Sequence, residues 1–121
     1  MKIRIKANSI RFRLTKTEVK NFCKNGRIEE QTDFDGSIFS YSVVLVKNAG
    51  HLTAVFEYNT IALLLPEEVL GDWATNDQVG FKNTMKVKNG KELFLLLEKD
   101  FTCLDNTIED QSDNYPNPKA Q

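Results

Sequence analysis

Little in this sequence suggests a covalent or metal-built scaffold. It has two cysteines, Cys23 and Cys103, and one histidine, His51. Two distant thiols make no disulfide framework, and no paired ligand spacing suits zinc. The expectation is free thiols in a cytoplasmic chain. Proline is scarce, and the six glycines mostly stand where turns or helix ends belong. No collagen-like period or Pro/Gly-rich linker is present, and no glycine-rich phosphate loop. Long apolar runs are missing too. The longest, residues 61–65 and 93–97, fall far short of the ~18 residues a membrane helix needs, so no membrane partner is expected. The opening Met-Lys-Ile-Arg-Ile-Lys alternates at once, with no apolar signal region.

What is present suits one globular core. The chain has 121 residues, 40% hydrophobic and 27% charged, with eight Phe to fill an interior. A single domain over residues 1–121 is expected, with 105–121 as a polar, acidic tail packed on it. The net charge of −1 conceals opposed ends. Residues 1–20 carry seven bases against Glu18, whereas residues 98–121 carry six acids against Lys99 and Lys119. That asymmetry implies either an anionic partner for the front or a contact between the two ends.

Residues 2–14 alternate apolar and basic, and the parity of the apolar set switches across Asn8-Ser9. A two-residue turn there pairs Ile5 with Phe12 and Ile3 with Leu14 on one face. Lys6 then opposes Arg11, and Arg4 opposes Arg13, an unfavourable placement unless an anion relieves it. A β-bulge in one long strand accounts for the parity equally well. Thr15-Lys-Thr-Glu18 is a capping box that predicts a helix over 16–25, stopped by Gly26. Strand-like patterning follows to residue 65, punctuated by Asp35-Gly36 and Ala49-Gly50. Pro66-Glu-Glu opens a second short helix with Val69, Leu70 and Trp73 on its apolar side. A last hairpin turns at Asn89-Gly90, and the apolar run 93–97 reads as a central strand. The expected class is α+β: six or seven strands in a mainly antiparallel, strongly curved sheet or partly closed barrel, with two short helices.

Two segments carry a resemblance. The opening MKIRIKANSIRFRLT with Glu18-Val19, and the ending LEKDFTCL over 97–104 with DNYPNP over 113–118, are similar to a family of small bacterial proteins of unknown function. The resemblance runs over essentially the whole chain and implies a single bacterial, intracellular domain whose tail belongs to it. It implies no activity, cofactor or catalytic residue.

The sharpest functional feature is the basic face of the first hairpin. Lys2, Arg4, Lys6, Arg11 and Arg13 form a candidate anion-binding set, since Arg forks suit phosphate oxygens. The bland reading is a solvated face that blunts a sheet edge. Nucleic acid is disfavoured, because the chain is slightly acidic and no aromatics interleave these bases. The alternative is a metal-dependent, phosphate-directed hydrolase in a polar barrel, with Glu57, Glu98 and Asp100 as metal ligands. An EF-hand fails, because Asp110 stands where the turn glycine belongs. A Cys23–His51 or Cys103–His51 dyad has no spacing to support it. As an interaction domain the chain would use its acidic tail as an arm; a tail folded back on the hairpin bases, anchored by Tyr115, settles both ends of the asymmetry at once. The reading is a small binding or accessory protein rather than an enzyme, with no cofactor and an anionic small molecule as partner.

Overall fold

Each strand is paired with its neighbour in sequence by a hairpin, and the turns explain where each pair begins. The structure is a computed structural model that describes residues 1–101 and 112–116. Strands β1 (Lys2–Lys6) and β2 (Ser9–Leu14) are antiparallel around Ala7-Asn8, where Ala7 takes a positive φ of 50°. The turn therefore sits one residue earlier than expected. Ile3 now faces Phe12 and Ile5 faces Ile10, so the pairing slips by two residues and the apolar set stays on one face. Helix α1 (Lys16–Asn25) has the full capping box, with Thr15 accepting from the Glu18 amide and Glu18 accepting from the Thr15 amide. Gly26 closes it in the left-handed region at φ 76°, which a side chain would resist.

Strands β3 (Arg27–Phe34) and β4 (Ser37–Val46) turn at Asp35-Gly36 as expected. Strands β5 (Thr53–Glu57) and β6 (Thr60–Pro66) turn at Tyr58-Asn59, which the sequence reading ran through as one stretch. Helix α2 (Glu67–Leu70) has one turn only, and Val69 is exposed on it. Trp73 lies beyond the helix, fully buried, with its indole N–H donating to the Gln78 carbonyl at 2.9 Å. Strands β7 (Gly80–Lys86) and β8 (Glu92–Lys99) complete the set, joined through the loop that contains Asn89-Gly90.

The hairpins assemble into two four-stranded sheets, ordered β1-β2-β8-β7 and β3-β4-β6-β5. In both, the two inner strands run parallel, β2 beside β8 and β4 beside β6. The fold is α+β and strand-rich, but two expectations are corrected. Four of the six strand pairings are antiparallel, but the two central ones are parallel, so the sheets are mixed. There are two sheets rather than one, and among the described residues there is no closed barrel. Local hairpin turns dictate only antiparallel pairs; the parallel seams join strands far apart in sequence.

One core cluster draws on both sheets. Phe12, Leu14, Leu95 and Leu97 from the first meet Val43, Ile61, Leu63 and Leu65 from the second, with Val19, Phe22 and Trp73 packed alongside. Trp73 stands edge-on to Phe22 and Phe81, at centroid distances of 6.5 and 5.0 Å. Such rings each bury enough apolar surface to contribute about 2–3 kcal/mol. No helix is long and apolar enough to cross a membrane among the described residues.

Candidate anion-binding face

Alternation along four strands puts every second side chain of the first sheet away from the core. Register then fixes the outward rows. One row across the sheet holds Lys2, Arg13, Glu98 and Gly80. The next holds Arg4, Arg11, Leu96 and Lys82, and the third Lys6, Ser9, Phe94 and Thr84. Lys86 follows on β7, opposite Glu92. All five bases expected to share a face do share it, joined by Lys82 and Lys86.

Like charges do oppose one another here, Arg4 against Arg11 and Lys2 against Arg13. The relief comes from β8. Glu98 Oε1 accepts from Arg13 Nε at 2.9 Å and lies 3.2 Å from Arg11 Nε. Asp100 lies 3.3 Å from the Lys2 ammonium. The parallel seam β2–β8 thus carries an acid between two arginines and orients their guanidinium groups. No described carboxylate pairs with Arg4, Lys6 or Lys82, and Arg4, Lys6 and Lys82 are exposed. Beside them is an open groove of about 530 Å³, lined by Ser9, Lys82, Thr84, Phe94 and Leu96 among others.

Gly80 belongs to this geometry. A Cβ there would stand 2.1 Å from the Leu97 carbonyl oxygen and 2.7 Å from Glu98 Cα. Only glycine lets β7 approach β8 so closely beside Glu98.

The metal-ligand set does not converge in this arrangement. Glu98 and Asp100 face bases, while Glu57 ends β5 in the other sheet. Among the described residues no group of three or more His, Cys, Asp or Glu could hold a metal ion. Cys23 is a free thiol, raised above its usual range by burial despite the Ala74 backbone and Lys99. His51 lines a separate hollow with Leu52, Pro66 and Phe81. Cys103, Asp105 and Asp110 lie outside the described residues.

The tail does not reach the basic face where it is described. Asp113 instead sits over the start of α1, accepting from the Thr17 hydroxyl at 3.0 Å and the Thr17 amide at 3.3 Å. Lys16 N–H donates to the Asp113 carbonyl at 2.9 Å. The hydroxyls of Thr15 and Thr17 hold the Asp113 carboxyl below its usual range. An acid there also complements the positive end of the helix. Tyr115 bridges to Phe101, and the Lys99 ammonium lies 4.8 Å over its ring.

Residues 1–119 match DUF7009, a family of unknown function. The chain belongs to that family. No curated protein and no solved structure matches it. Membership brings no chemistry of its own, so function has to be argued from the side chains. In those terms the sequence reading missed Lys82, Lys86 and Phe94. The alternation Phe81-Lys82-Asn83-Thr84-Met85-Lys86 was there to be read, but its place beside β2 depends on the nonlocal parallel seam.

Proposed function

We propose that the outward face of the β1-β2-β8-β7 sheet is an anion-binding surface for phosphate-bearing ligands, and that the protein is a binding module. One observation carries this reading. In the row Arg4, Arg11, Lys82 and its neighbour Lys6, Arg11 is half-buried against Glu98 while the other three are exposed, and those three lack a carboxylate partner among the described residues. Unneutralised bases held on rigid strands lose little freedom when an anion arrives, and Arg11 is already oriented by Glu98. The hydrolase alternative finds no comparable support, since its Glu98 and Asp100 already serve arginines and a lysine.

Titrating the full chain with inorganic polyphosphate at low and high salt tests the reading. Binding is expected, weakening as salt rises, because exposed charges are screened. Arg4→Ala combined with Lys82→Ala should weaken it several-fold while leaving the unfolding midpoint in place. Absence of binding, or binding indifferent to both substitutions, would leave a solvated basic face and nothing more.

A further inference from the structure

The same face contains an aromatic ring in its middle. Inner strands of a parallel seam are ordinarily apolar on both sides because both sides are covered. Here β8 follows that pattern, yet Phe94 is 51% exposed and Leu96 is only half-buried. Phe94 stacks on no other ring among the described residues. Its neighbours in the row are Ser9 and Thr84, with Lys6 beyond Ser9 on β1. One row away are Arg4, Arg11 and Lys82, and on the other side Lys86 opposite Glu92.

Bases on either side of a ring, with hydroxyls at its edges, make a particular kind of surface. A simple polyanion would use the cations and leave the ring idle. A duplex presents phosphates but hides the faces of its bases. A single strand uses both: a base stacks on the ring while flanking phosphates meet the cations. Resting on the anion-face reading above, we infer that the ligand class is single-stranded nucleic acid, with a base on Phe94 and phosphates at Arg4, Lys6 and Lys82. The absence of interleaved aromatics along the chain had counted against this class. The parallel pairing of β2 with β8 supplies the aromatic from 80-odd residues away (Ser9 faces Phe94).

The test uses the full chain and a fluorescein-labelled oligothymidylate of about twelve nucleotides, within the range of known single-strand site sizes. Anisotropy should show binding, and inorganic polyphosphate of equal charge should compete less well. Phe94→Ala should weaken oligonucleotide binding about ten-fold or more, the usual loss when a stacking ring is removed. It should leave polyphosphate affinity unchanged and lower the unfolding midpoint only modestly, since the ring is half exposed. Phe94→Trp should retain binding, and the new indole should be quenched by the oligonucleotide beyond any change from buried Trp73. Equal affinity for polyphosphate, or an unchanged Phe94→Ala variant, would overturn stacking while leaving the anion face standing. No binding of either probe would overturn both.

Discussion

Phe12 isolates what one buried ring contributes. It is fully buried on β2 and meets Tyr41 of the opposite sheet edge-on, at a centroid distance of 6.2 Å. Phe12→Ala should cost about 3–5 kcal/mol, the loss of a buried Phe plus the cavity it leaves. Chemical denaturation measures this, and a cost below about 1 kcal/mol would mean the ring is not in the core. Its inward face was legible from alternation alone, and the slip in hairpin register did not change it. Gly80 was not legible in this way. In sequence it marks a turn, but its actual reason is the Leu97 carbonyl 2.1 Å from any Cβ. Gly80→Ala should therefore destabilise by about 1–3 kcal/mol, as overpacking does, and loosen β7 from β8. Amide exchange along 80–86 reads that loosening; unchanged protection would contradict it.

Charge at the residue scale also sets a pH dependence. The Met1 ammonium pairs with Glu18 and lies 2.9 Å from Glu30. Burial works against this ammonium, but hydrogen bonds to Glu18 and Glu30 raise its pKa above 8.0. Burial likewise works against the charged Glu18, yet the ammonium and the Thr15 amide hold its carboxyl below 4.5. The raised amine stabilises fully below pH 8.0 and loses that contribution as pH rises through its folded value. The depressed Glu18 stabilises fully above pH 4.5 and loses its contribution as pH falls through its lower folded value. The unfolding midpoint should hold between these limits and fall on either side. Glu18→Gln should lower the plateau and flatten the acid arm; an unaltered acid arm would show that the pair does not couple to folding.

At the scale of elements, what could be read was whatever a local motif encodes. The Thr15–Glu18 box, Gly26 and Asp35-Gly36 each name their geometry in side-chain chemistry. The β5–β6 turn escaped because it uses no glycine. Tyr58 and Asn59 take positive φ values of 51° and 57°, a conformation better suited to Asn-Gly. Tyr58→Asn with Asn59→Gly should thus stabilise the chain by about 1 kcal/mol, since left-handed conformations burden side chains with about that much each. The Tyr58 ring, 96% exposed, has no packing to lose. A lowered midpoint for the double variant would show that this hairpin turns otherwise.

For the whole molecule, hairpins were readable and their assembly was not. Alternation says which side of a strand is apolar, but not which strand lies beside it. The seams β2–β8 and β4–β6 close long loops, and nothing local records that choice. The candidate site shares this limit. Its five hairpin bases were visible along the chain, whereas Glu98 as their counter-ion, Lys82 as their companion and Phe94 as their centre exist only through the seam. Opposed charge at the two chain ends was readable too. Among the described residues, Glu98 on β8 and Asp100 just past its end meet hairpin bases and Asp113 turns to α1, which follows from where β8 is inserted.

The most direct measurement of the proposed surface is a map of where an anion lands. Backbone amide and Arg Nε signals, followed by NMR during titration of the full chain with inorganic polyphosphate, provide it. Shifts should concentrate on Arg4, Lys6, Arg11 and Lys82, with the β3-β4-β6-β5 sheet unmoved. Shifts centred on Lys99 and Tyr115, or none that saturate, would contradict an anion-binding face on the β1-β2-β8-β7 sheet.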